Sequence, residues 1–142
     1  MGAGARRIRR LVVLAAGVLG VAWYHPVRRV EVIGLSMAPA LHPGDRLVVV
    51  RLPWRLPFGP VPGQVVAVRD PRRPDRILIK RVRSVDRRAG TLDVEGDDRR
   101  SSTDSRSFGP VSRSAIVGRA VYRYAPAGRN GPVPGSEEYH RT

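Results

Sequence analysis

Cysteine is absent from this 142-residue chain, which excludes a disulfide framework, a thiolate nucleophile and any cysteine-based metal site. The three histidines, His25, His42 and His140, are scattered, so no histidine metal cluster forms in the sequence, and neither metal nor organic cofactor is expected. Acidic residues are few: 12 against 26 basic ones, a formal charge of +14. That excess attracts polyanions, of which anionic lipid and nucleic acid are the obvious classes. Aromatic residues make up 6%, and the only interleaved basic–aromatic patch is Tyr122-Arg123-Tyr124. Nucleic-acid binding needs stacking platforms or a recognition motif as well as charge, so no nucleic-acid partner is expected. Helical periodicity is missing outside one N-terminal stretch, and no internal repeat is visible. Thirteen prolines and fifteen glycines point to short strands and many turns.

The one long uncharged run is Leu11 to Tyr24, preceded by Arg6-Arg7-Ile8-Arg9-Arg10 and closed by Trp23-Tyr24. As a helix it spans about 21 Å, short of the roughly 30 Å hydrocarbon core. Ile8 and snorkelling arginines lengthen it, and the aromatic pair suits the far interface. A cleaved signal peptide lacks a clear cleavage site before His25-Pro26, and a buried core helix has no need of the flanking arginines. The reading is a basic cytoplasmic segment (1–10) and an uncleaved signal-anchor transmembrane helix (11–26). It implies a single-pass plasma-membrane protein with a cytoplasmic N-terminus and an extracytoplasmic domain.

Residues 27–124 read as one mainly β domain. Strands are expected over Val27–Ile33, Arg46–Val50, Gln64–Arg69, Arg76–Val85, Thr91–Glu95 and the Ser114–Tyr124 stretch, with turns at His42-Pro43-Gly44-Asp45, 70–75 and 86–90. Residues 51–63, with four prolines, Trp54 and Phe58, form a loop that is either a membrane-dipping rim or a cap on the core. From 125 to 142 proline, glycine and charge predict a flexible tail. Such strands favour a folded-over sheet or small barrel.

Lysine is nearly absent too: Lys80 is the only one among 26 basic residues, set in the apolar run Ile77-Leu78-Ile79-Lys80-Arg81-Val82. An ammonium can lose its proton in a dry site, whereas a guanidinium effectively never does. Lys80 is therefore a candidate general base, the alternative being a snorkelling surface residue. Holding it neutral near pH 7–8 requires a downward shift of about 2–3 units from about 10.4, roughly 3–4 kcal/mol.

Gly34-Leu35-Ser36-Met37-Ala38-Pro39-Ala40-Leu41 followed by Pro43-Gly44-Asp45 resembles the nucleophile box of the type I signal peptidases. Ile79-Lys80-Arg81-Val82 resembles their lysine box. Glu95-Gly96-Asp97-Asp98, then Ser102 to Val111 and Ile116-Val117-Gly118-Arg119-Ala120, resembles their third box. The matches run in the family's order over most of 32–121. The resemblance implies a signal-peptidase-like catalytic domain in which Ser36 attacks the scissile carbonyl and Lys80 takes its proton. It implies that Ser102 orients the amine, that Asp104 and Arg106 form a supporting ion pair, and that Met37 and Leu35 line the substrate pocket. The substrates would be leader or signal peptides of exported precursors, cut after small residues, and anionic lipid would be the second partner. Gly34 stands where some bacterial members carry a serine that donates to the oxyanion hole. Asp98 replaces the usual asparagine, and the glycine-rich stretch after the lysine box is missing. The chain is in these respects similar to mitochondrial inner-membrane peptidases and to the maturation proteases of nickel superoxide dismutase.

Other readings are a dedicated maturase of one precursor, a self-cleaving repressor-type protease, and an inactive cationic module binding anionic lipid or nucleic acid. A triad of Ser36, His42 and Asp45 is disfavoured because His42 to Asp45 is itself a turn.

Overall fold

The computed structural model describes residues 27–51 and 59–135. The basic segment, the anchor, Trp54, Phe58 and the last residues of the tail lie outside them. Among the described residues no helix is long and apolar enough to cross a membrane.

Among the described residues, eight strands form one antiparallel sheet: β1 (Val27–Glu31), β2 (Arg46–Val50), β3 (Val65–Asp70), β4 (Arg73–Asp86), β5 (Thr91–Glu95), β6 (Val111–Ser112), β7 (Ile116–Ala125) and β8 (Gly131–Pro132). A one-turn helix, α1 (Ser105–Phe108), lies between β5 and β6. The spatial order is β1-β2-β7-β3-β4-β5-β6, with β8 added to β7. No pairing joins β1 to β6 among the described residues.

β3 explains the core. Its Val65-Val66-Ala67-Val68 run is buried without a break, the pattern of a strand covered on both faces. Val65 and Ala67 join one cluster with Val32, Met37, Leu41, Leu47, Val49, Ile79 and Ala120. Val66 and Val68 join a second with Leu78, Val82, Leu92, Val94 and Val111. Alternation along β4 splits it in the same way: Ile79 enters the first cluster, Leu78 and Val82 the second. Lys80 shares the parity of Leu78 and Val82, and Val66 of the doubly buried strand is its cross-strand partner.

β4 is long and unevenly partnered. Its register with β3 runs from Arg73 to Arg81 with a break between Arg73 and Ile77, whereas β5 pairs only with Arg81–Asp86 and skips a residue between Val82 and Ser84. That irregularity bends the strand and leaves residues 73–80 with a second edge that no strand occupies among the described residues.

The flexible tail expected from residue 125 is corrected for 125–135. β7 runs through Ala125, and Gly131–Pro132 pairs with Tyr122 and Arg123. Arg129 Nη2 reaches Asp45 Oδ2 at 3.0 Å, and Arg81 Nη1 donates to the Pro134 carbonyl at 2.9 Å. Composition misleads here because the segment is held by a buried carboxylate and a guanidinium on distant elements, with Val133 packed against the first cluster.

Candidate active site

β4 carries Lys80 into the interior, where it is 2% exposed. Its Nζ donates to Ser102 Oγ at 2.9 Å, and Ser102 Oγ is 2.5 Å from Asp104 Oδ2. Asp104 is fully buried and caps α1 through the Arg106 backbone N–H. It is gripped by Arg106, whose Nε lies 2.9 Å from Oδ1 and Nη2 2.6 Å from Oδ2. The Gly96 N–H donates to Oδ2 at 2.9 Å.

Burial alone would raise the Asp104 pKa, but hydrogen bonds from Arg106, Ser102 and the Gly96 N–H overcome it and hold the carboxyl well below the usual range. An ionised carboxylate only accepts. The Ser102 hydroxyl must therefore donate to Asp104, and its oxygen accepts from the Lys80 amine. Burial lowers the Lys80 pKa; the Asp104 charge opposes this, and Arg76, Arg106 and Arg72 add to the lowering. A neutral amine that donates to Ser102 keeps its lone pair for another proton. Such an arrangement is one in which an amine can act as a base.

Ser36 sits in the loop after β1, partly exposed. Its carbonyl accepts from the Asp98 N–H at 3.0 Å. The Asp98 side chain accepts from the Arg100 N–H and the Ser101 hydroxyl at 3.0 and 2.7 Å, so the residue that replaces asparagine folds the turn holding the Ser36 backbone. Gly96 makes this junction possible. A Cβ there would lie 2.3 Å from Ser102 Oγ and 2.5 Å from the Ser36 carbonyl oxygen.

Ser36 and Lys80 line one cleft of about 570 Å³, walled on one side by Val30 to Gly34 and Met37, and on the other by Arg76 to Lys80. No Ser36 side-chain hydrogen bond occurs among the described residues, so the hydroxyl and the amine share the cleft without a direct bond; such contacts are often long before substrate arrives. Gly34 also lines it, and a Cβ there would meet nothing within 4 Å. Met37 lies at the wall, fully buried. Leu35 is 54% exposed and is not among the residues that line this cleft.

The His42–Asp45 turn does not face Ser36 as a triad. Asp45 Oδ2 is taken by the His42 N–H, Arg123 and Arg129, and its Oδ1 has no partner among the described residues. No group of histidine and carboxylate side chains there could hold a metal ion.

Sequence reasoning missed the partnership of Arg81 with Asp97. Arg81 Nε and Nη2 each lie 2.7 Å from an Asp97 oxygen, and Arg81 Nη1 reaches the Gly63 carbonyl at 2.8 Å. Both residues stood inside recognised boxes, but nothing local indicates a pair sixteen residues apart.

A family model described as "Signal peptidase, peptidase S26" matches residues 5–86 and 83–125. The chain is 34% identical to the mitochondrial ATP-independent inner membrane protease subunit 1b of Arabidopsis thaliana, over 70% of this chain and 71% of the relative. It is 29% identical to the mitochondrial inner membrane protease subunit 2 of Schizosaccharomyces pombe, over 86% and 78%. With the mouse subunit 2 it shares 35% identity over 68% and 65%.

Proposed function

Because the chain belongs to the signal peptidase S26 family, we propose that it is a membrane-attached serine endopeptidase that removes leader peptides from precursors. Ser36 is the nucleophile and Lys80 the general base. Ser36 Oγ attacks the scissile carbonyl as its proton passes to Lys80 Nζ. The Ser36 N–H supports the oxyanion. The protonated amine then gives its proton to the leaving nitrogen as the C–N bond breaks. Lys80, neutral again, deprotonates the water that hydrolyses the acyl ester. Ser102, Asp104 and Arg106 position the amine and do not react.

The observation that carries this reading is the buried Lys80 amine, donating to Ser102 at 2.9 Å in the cleft that also holds Ser36. The free edge of β4 supports an extended peptide as substrate, since an exposed edge accepts an added strand. Met37 closes the wall next to Ser36, which favours small side chains before the scissile bond. Segment 11–26 is the single-pass anchor in this reading, with the domain on the far side of the membrane from the N-terminus. Membrane attachment is supported by relatives named as inner membrane proteases.

The test uses the full chain in neutral detergent and a leader-peptide substrate with small residues at the cleavage site. Ser36→Ala and Lys80→Arg should each reduce cleavage by more than about 10³-fold, with thermal unfolding of Ser36→Ala unchanged. Normal processing by Lys80→Arg would end the reading, because a guanidinium cannot serve as the base.

A further inference from the structure

Arg76 is exposed and lines the cleft on the open stretch of β4. It has neither an ion pair nor a hydrogen bond among the described residues. Its neighbours are engaged: Arg72 grips Asp70 at 2.8 Å and stacks on the Phe108 ring, and Arg73 lies 3.6 Å from Asp75. Across the cleft, Glu31 is 3.5 Å from Arg46. The outer part of the cleft therefore holds a guanidinium with its donors unspent.

Spacing fixes where a ligand group would meet it. Arg76 and Lys80 are four residues apart on β4, about 13 Å along an extended chain, and both line the cleft, Arg76 in the stretch where pairing with β3 is interrupted. A peptide added to the free edge advances at the same rise. When its scissile bond is beside Lys80, a side chain four residues away stands beside Arg76. A carboxylate is the group that a free guanidinium binds in paired hydrogen bonds.

We infer that Arg76 selects peptides carrying an acidic side chain about four residues from the scissile bond. This rests on the peptidase reading above. A basic side chain at that position is disfavoured by the same charge. The preference is electrostatic and weakens as salt rises.

The full chain in neutral detergent would be given peptides with one glutamate, glutamine or lysine scanned along both sides of a fixed cleavage site. Glutamate should exceed glutamine in kcat/KM by about three- to tenfold at one position about four residues out. Arg76→Gln should bring that ratio to one, and Arg76→Glu should favour lysine. A ratio unchanged in Arg76→Gln overturns the inference while leaving the peptidase intact. So does an Arg76→Gln effect that is uniform across peptides and seen only with anionic vesicles, which would make a lipid phosphate the partner. Lack of Ser36-dependent cleavage of every peptide would instead strike the peptidase reading. Fluorescence anisotropy of the same peptides on Ser36→Ala, with and without Arg76→Gln, then decides on Arg76 alone: equal affinities for glutamate and glutamine peptides refute it.

Discussion

At the scale of single residues, the lowered Lys80 pKa has two consequences of known sign. If neutral Lys80 is the base, kcat/KM should climb tenfold per pH unit and level off below the ordinary lysine value of about 10.4. A bell with no basic-side plateau, or a flat profile, would refute this. Stability follows the same group. Between its folded and unfolded values the unfolded chain binds more protons, so stability rises with pH across that window, and the penalty is fully present below it. Lys80→Met should therefore raise the melting temperature by about 4 °C at low pH and by less near pH 10, read by calorimetry. Asp104 gives a dependence of the same sign at acid pH: its stabilising contribution is present above the ordinary aspartate value and is lost as pH falls through its depressed one. Gly34→Ser tests the oxyanion hole. The open space at Gly34 admits the hydroxyl, and a donor aimed at the oxyanion should raise kcat by about tenfold, part of the roughly 10²–10³ such donors can supply. Of the candidate site, Ser36, Lys80, Ser102, Asp104 and Arg106 could be named from side-chain chemistry and motif spacing, and the fold links the last four in one hydrogen-bonded chain beside the cleft that Ser36 lines. Gly96 lies in the third box, but its closeness to the Ser36 carbonyl depends on the fold.

Among elements, the β4–β5 region depends on the Arg81–Asp97 pair, with side chains 11% and 6% exposed. Asp97→Ala leaves a buried guanidinium half-satisfied and should cost about 3–5 kcal/mol in urea unfolding. A loss below about 1 kcal/mol would show that the Gly63 and Pro134 carbonyls suffice. Gly96→Ala should be comparably severe and should abolish activity, since backbone and Ser102 cannot both retreat from the added methyl. The expected strands over Arg46–Val50 and Thr91–Glu95 match β2 and β5, because short apolar runs between turn residues leave little choice. β4 exceeds its expected start by three residues: Arg73-Pro74-Asp75 reads as a turn, yet it extends the strand along its free edge. The sequence offered no sign of β6, β8 or α1, which are too short to carry a period. That β7 lies between β2 and β3 was equally hidden, being a matter of long-range pairing.

For the molecule as a whole, residues 126–135 complete the domain. Truncation after Ala125 removes β8 and the Arg129 contact to fully buried Asp45, and should lower the melting temperature by about 5–10 °C; an unchanged value would return the segment to the status of a tail. The charge of +14 should make vesicle binding depend steeply on salt.

Residues 73–80 also present a hazard. An unpaired length of backbone can zip onto the same length of a sister molecule and start a fibre. Here it bears Arg73 and Arg76, which repel their own copies, and Pro74, which has no N–H to offer a new ladder. The gap can thus stay vacant in a crowded membrane until a visiting chain with a compatible charge fills it.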